Sequence, residues 1–359
     1  MESRDRSGIV WKIQGFLLKT LWGHAVVGLI VLGAIGLAIA QPAALPRREI
    51  TLTALSVPLS TADANVDRTG LLRFMGGLWL TSEDKGFGGL SGLIAEKATD
   101  GFLVTAISDQ GDKFTGHLTL EGVRLKGMNK ATLEPLADLN GKAITGKAWG
   151  DSESIARLSD GRVLVGFERN HRIWSYDAGL TGTARVFETP EALKKAPSNG
   201  GLESIATWPD GRVLAITEQM RSADGNLVAF LLQNETWSTL EWKPSAEGFE
   251  PSDATVLANG DLLILERSWS VFAPTKLSSR VMRVRAATIK PGAVLQGEAI
   301  GELTPPLIAD NFEGITSFIN ADGKTQILLI SDDNFNGIQR TLLLSFEIEE
   351  GPGPAPTSK

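Results

Sequence analysis

The chain has 359 residues, 42 % of them apolar and 21 % charged, which is a globular composition and not a disordered one. It contains no cysteine, which excludes disulfides, thiolate nucleophiles, iron–sulfur clusters and cysteine-held zinc. Its net charge is −7, and beyond residue 40 there are 31 Lys+Arg against 40 Asp+Glu, so the body is too acidic for a general binder of nucleic acid.

In chain order, the first feature is an uncharged run, AVVGLIVLGAIGLAIA, at residues 25–40. Arg4, Arg6, Lys12 and Lys19 precede it, and Ala38-Ile39-Ala40 is an A-x-A cleavage signal. This predicts a secretory signal peptide over residues 1–40 and export to the periplasm. The alternative is an anchor in the inner membrane over residues 22–40, which are nearly long enough to span a bilayer. Contact with a membrane is expected only through this segment. The run at residues 9–22 could lie on a membrane surface as an amphipathic helix. Residues 41–69 form a lead-in with one strand, ITLTALSVPL at 50–59.

Residues 70–348 are organised by an internal repeat. LSGLIAEKATDGFLVTAISDQGD, DSESIARLSDGRVLVGFERN, GLESIATWPDGRVLAITEQM, PSDATVLANGDLLILERSW and FEGITSFINADGKTQILLISDDN begin at Leu90, Asp151, Gly201, Pro251 and Phe312. Each is an apolar strand, a turn, a second apolar strand and an acidic residue. The turn glycines are Gly101, Gly161, Gly211, Gly260 and Gly323, preceded by Asp or Asn as in tight hairpins. One or two further strand-like runs follow each hairpin. Four strands per unit of roughly 50 residues predict an all-β propeller with five repeats. The last repeat shows three strands, and the run at 71–81 is placed to supply its fourth and close the ring. The strand at 50–59 leaves room for a sixth, degenerate blade. Residues 349–359, ending GPGPAPTSK, read as a disordered tail.

The start of a hairpin's first strand and the end of its second lie at the same end. The pairs Glu153 with Glu168, Glu203 with Glu218, Asp253 with Glu266, Glu313 with Asp332 and Ser91 with Asp109 therefore converge on one mouth of the channel. That predicts a ring of about nine carboxylates. Basic and amide neighbours are Lys113, Arg169, Asn170, His171, Arg221, Arg267 and Asn334. The same acids could instead cap turns blade by blade. Crowded carboxylates repel, which favours bound Ca²⁺, interleaved arginines, or both. Asp332-Asp333-Asn334-Phe335-Asn336-Gly337 matches the first half of a Ca²⁺ loop, but Leu343 stands where its bidentate Glu belongs. A metal-free Asx turn explains the segment as well. Gly141–Lys147 has Walker A spacing, yet Ala148 replaces the Mg²⁺-binding hydroxyl residue. Ser91 lacks the glycine spacing of a nucleophile elbow. The tryptophans read as blade packing, with Trp269 the one placed to line the site.

FGGLSGL, SDQGD, DSESI, GLESI, EPSDA, LLILERSW and NFEGI together resemble the phytase-like family, also called "esterase-like activity of phytase", over roughly residues 70–348. The resemblance implies an exported propeller with phosphoester or ester hydrolase activity. On that reading Glu153, Glu203, Asp253, Glu313, Asp332, Asn334, Asn336 and Asp109 hold Ca²⁺. Glu168, Glu218 or Glu266 acts as general base and His171 as general acid. Arg169, Arg267, Arg221 and Lys113 bind a small anionic substrate. The alternative is a non-catalytic periplasmic propeller that presents the same mouth to a ligand or a protein.

Overall fold

A computed structural model describes residues 45–99, 101–268 and 277–349. The leader, the tail beyond residue 349 and Trp269 lie outside the described residues. Among the described residues no helix is long and apolar enough to cross a membrane.

The repeats fold as five antiparallel blades. Their innermost strands are Leu90–Ala98, Ser152–Arg157, Leu202–Thr207, Glu250–Val256 and Phe312–Ile319, and each packs against the next around the axis. The second strands are Gly101–Ser108, Val163–Phe167, Val213–Arg221, Leu262–Ser268 and Thr325–Ser331. All five turn glycines have positive φ, between 74° and 126°, which is why glycine occupies the turn.

Strand alternation sends successive residues to opposite faces, and each face belongs to a different interblade core. In blade 2, Val163, Val165 and Phe167 pack toward blade 1, whereas Leu164 packs toward blade 3. In blade 5, Ile327 and Leu329 face blade 4, whereas Leu328 and Ile330 face blade 1. Five such clusters result, one for each pair of adjacent blades. A fully buried Leu or Phe contributes about 1.5–3 kcal/mol, against less than about 1 kcal/mol for an exposed ion pair such as Arg157–Glu96. The shared cores therefore hold the ring. Trp174, Trp208 and Trp242 are buried in them, as expected of packing tryptophans.

The ring closes as its sequence predicts. Leu72–Ser82 pairs with Thr341–Ile348, opposing Leu78 to Leu343. The leftover strand forms no sixth blade: Leu52–Val57 pairs with Leu72–Ser82 as the outermost strand of blade 5. Arg48–Glu49 adds to the outer strand of blade 1, and the Leu71 N–H donates to Ile300 O in blade 4. The N-terminal chain thus ties three blades together.

Candidate active site

Every blade breaks the register of its innermost strand pair at the same point. In blades 2 to 5 a bulge leaves one inner-strand residue unpaired: Glu153, Glu203, Ser252 and Glu313. Blade 1 shifts across Ser91 and Gly92. At the facing strand end, the Asp109, Glu168, Glu218 and Asp332 N–H groups donate to Gly89, Asp151, Gly201 and Asn311 O, and Arg267 opposes Glu250. Two stacked rings follow: Ser91, Glu153, Glu203, Ser252 and Glu313 below, then Asp109, Glu168, Glu218, Arg267 and Asp332.

The result is a cavity of about 360 Å³ lined by seven carboxylates, with Lys147 and Arg267 as its cations. Asn199, Asn311, Asn334, Asn336 and Gln339 complete the wall.

Blade 4 departs from the sequence expectation by one residue. Glu266 and Arg267 are adjacent on a strand, so only one of them can face the mouth. Arg267 does. Glu266 points into the blade, where it accepts hydrogen bonds from Trp242 Nε1 at 2.8 Å and Ser245 N at 3.2 Å. It cannot act as the base at the mouth. Asp253 likewise lies one layer below the glutamate ring. Its Oδ1 accepts from Ser154 Oγ of blade 2 at 2.8 Å, and its Oδ2 accepts from Ile315 N of blade 5 at 2.9 Å. Asp253 is therefore a brace across the axis and not a ligand at the mouth. Below it the channel is lined by Leu93, Ile155, Ile205, Ala254 and Ile315, one from each blade.

Four other expected site residues lie outside the cavity wall. Lys113 is buried against Glu134 at 2.8 Å and donates to Gly179 O. Arg169 pairs with Asp151, and Arg221 donates to Gly225 O. His171 Nε2 meets Pro197 O at 2.7 Å, and its ring fills the space a Cβ on Gly201 would need. The Asp332–Asn336 loop folds as Asx turns. The Asn334 and Asn336 side chains both donate to Gln339 Oε1, while Asp333 accepts from Gly89 N and Thr341 Oγ1. Asp332 alone of these points its carboxylate inward.

Lys147, Asn199, Asn311 and Gln339 were not expected at the site. Lys147 opens a single helical turn, Lys147–Gly150, after the Walker-like segment, and its Nζ lies 2.8 Å from Asp109 and 3.3 Å from Asp151. Asn311-x-Glu313 repeats the spacing of Asp151-x-Glu153, a signal that could have found Asn311. The other three sit on loops outside the repeat.

The electrostatics follow from burial. Burial, and then the neighbouring carboxylates, push Glu153 and Glu203 well above the usual carboxylate range. Glu218 is pushed up to about 7 by burial, against the opposing pull of Arg267. Asp332 is pushed up to about 9 by burial and by Glu313. Burial would lower Arg267, but Glu313 and Glu218, each 3.2 Å from its guanidinium, outweigh it and raise its value. Lys147 is raised in the same way by Asp109 and Asp151. Two carboxylate triads, Asp151-Glu153-Glu168 and Glu168-Glu203-Glu218, bring ligand oxygens within 4.8 Å of one another, a spacing that can hold a metal ion.

Two measurements test this arrangement. Asp253→Asn should lose about 1–3 kcal/mol in urea unfolding, because an amide cannot accept from both Ser154 and Ile315, and Ca²⁺ affinity should be unchanged. A loss of Ca²⁺ binding at full stability would put Asp253 at the mouth. The second concerns pH. Glu218 and Asp332 have folded values above their unfolded ones, so the folded metal-free chain holds the extra protons. Their contribution to stability is fully present below the ordinary carboxylate range and is lost as pH rises through about 7 and about 9. The urea midpoint of the metal-free protein should fall over that span. A midpoint that rises or stays level would contradict the buried mouth.

No curated protein sequence matches the chain. Solved structures similar to it include an α-L-arabinofuranosidase from Podospora anserina, 11 % identical, covering 79 % of this chain and 98 % of its own, with a TM-score of 0.48. An endo-arabinase from Bacteroides thetaiotaomicron is 13 % identical and covers 75 % of this chain and 97 % of its own, with a TM-score of 0.44. A gluconolactonase from Xanthomonas campestris is 12 % identical and covers 84 % and 98 %, with a TM-score of 0.39. The family profile described as "Phytase-like: Esterase-like activity of phytase" matches residues 85–335, which include the innermost strands of all five blades and the whole carboxylate mouth. The chain belongs to the phytase-like family.

Proposed function

We propose that the protein is a divalent-cation-dependent hydrolase of carboxylic or phosphoric esters that works at the carboxylate mouth. The observation that carries the reading is the charge balance of the cavity. Seven carboxylates face two cations there, and Glu203 has neither a hydrogen bond nor an ion pair among the described residues. Its side chain is only 7 % exposed. A buried carboxylate without a partner is costly, and a bound cation removes the cost. The donor set is all oxygen, which suits Ca²⁺, Mg²⁺ or Mn²⁺ and not zinc or copper. Such an ion supplies Lewis acidity toward an ester oxygen and lowers the pKa of water.

The chain's own groups divide the remaining work. Asp332, pushed up to about 9 in the metal-free mouth by burial and by Glu313, is the group placed to give a proton to a leaving oxygen. Arg267 is locked between Glu218 and Glu313, with Asn311 Oδ1 accepting from it at 2.7 Å. It offers a fixed positive charge at the blade 4 side of the cavity, where an oxyanion would be stabilised. Trp149, Phe335 and Ile338 stand exposed by 60 %, 43 % and 94 % on segments that also contribute to the cavity wall. An acidic mouth with an apolar rim disfavours a polyanion such as phytate and favours an ester with a neutral or singly charged apolar group. Export, read from residues 1–40, is part of the same proposal.

The test is turnover of 4-nitrophenyl acetate, 4-nitrophenyl butyrate, 4-nitrophenyl phosphate and phytate by the full chain, with Ca²⁺ or with EDTA. The expected result is Ca²⁺-dependent hydrolysis of at least one 4-nitrophenyl ester, lost in EDTA and lowered at least tenfold in Arg267→Met, with phytate the poorest substrate. Cation binding without turnover of any ester would make the mouth a ligand-binding site and overturn the hydrolase reading.

A further inference from the structure

The two carboxylate triads share Glu168 and differ in what already neutralises them. In the first, Asp151 is paired with Lys147 at 3.3 Å and with Arg169. Glu153 in that triad accepts from Ser91 Oγ at 3.2 Å. Two cations of the chain therefore serve one triad. The second triad has no such supply. Arg267 reaches Glu218 at 3.2 Å, but it is shared with Glu313 at the same distance. Glu203 of this triad faces the cavity, 7 % exposed, with neither a hydrogen bond nor an ion pair among the described residues.

Geometry admits an ion at either triad, so the choice between them rests on what already neutralises each. Ca²⁺–oxygen distances of roughly 2.3–2.6 Å allow two oxygens of one ion to lie up to about 5 Å apart. The Glu168, Glu203 and Glu218 oxygens meet that limit without movement. Glu168 is already oriented, because its Oε1 accepts from the N–H groups of Gly200 and Gly201. Such outer hydrogen bonds fix a carboxylate for an ion.

We propose that the mouth takes one divalent cation, off the axis between blades 2 and 3, held by Glu168, Glu203 and Glu218, and that Lys147 occupies the place of a second ion at the other triad. The inference rests on the cation-dependent reading above and assigns its ligands. Lys147 opens the turn Lys147–Gly150, and its ammonium sits between Asp109 at 2.8 Å and Asp151 of the first triad at 3.3 Å. The anion-binding side of the cavity is then the neighbouring one, at Arg267, which reaches the ligand Glu218 at 3.2 Å.

The experiment is calorimetric titration of the full chain with Ca²⁺, with folding of each variant checked by circular dichroism. The wild type should bind one ion per chain. Lys147→Met should bind two, because the first triad loses its built-in cation. Glu203→Gln should weaken the single site at least tenfold, and Glu218→Gln should act in the same direction if Glu203→Gln does not fold. Two ions in the wild type, or one in Lys147→Met, would overturn the surrogate role of Lys147. Unchanged affinity in both folded glutamine variants would overturn the ligand assignment while leaving a cation site at the mouth. No binding by any form would bring down the cation-dependent reading as well.

Discussion

The bulge at the mouth end of each innermost strand pair is the constraint on which the site depends. A regular ladder would pair each of these glutamates with a residue of the second strand. The bulge leaves Glu153, Glu203 and Glu313 unpaired at the mouth, above Ile155, Ile205 and Ile315 in the channel wall two residues on. Repeated around a closed ring, this stacks like charges where water is scarce. The repulsion is tolerated because the five interblade cores lie elsewhere and supply the stability.

Blade 4 breaks the fivefold pattern, and the polarity of the mouth follows from the break. Where its neighbours carry Glu or Asp at the strand end it carries Arg267, and where three of them carry a bulged Glu it carries Ser252. One layer lower it contributes Asp253, which crosses the axis to blades 2 and 5 and closes the floor. The mouth is thereby polarised. Uncompensated carboxylate faces it from blades 2 and 3, and fixed positive charge faces it from blade 4. A ring of identical blades would have no such polarity.

Much of this was legible in the sequence because propeller blades repeat. The Asp-Gly and Asn-Gly turns, the doubled apolar strands and the orphan strand at 71–81 gave the ring and its closure. Convergence of the strand ends gave six of the seven carboxylates as three matched acid pairs, and the seventh, Asp109, opposite Ser91. The error in blade 4 was also avoidable. Glu153 and Glu203 each lie eight residues before their turn glycine, and Glu168 and Glu218 lie seven after. The same count from Gly260 reaches Ser252 and Arg267, whereas chemical similarity selects Asp253 and Glu266. Asn199 and Gln339 left no trace, since loops outside the repeat are positioned by tertiary contacts alone, and Lys147 stood out only as the end of a Walker-like run. Charge type without accessibility misled for Lys113, Arg169 and His171, each of which has its partner elsewhere.

The central claim is that the mouth holds protons when it lacks a cation and releases them when it gains one. It is tested most directly by titrating Ca²⁺ into the full chain near pH 7 in two buffers of different ionisation enthalpy. Because Glu203 and Glu218 are raised by burial, binding should expel at least a substantial fraction of one proton per ion, and the observed heat should depend on the buffer. Binding with the same heat in both buffers would mean that the carboxylates are already ionised, and would contradict the account.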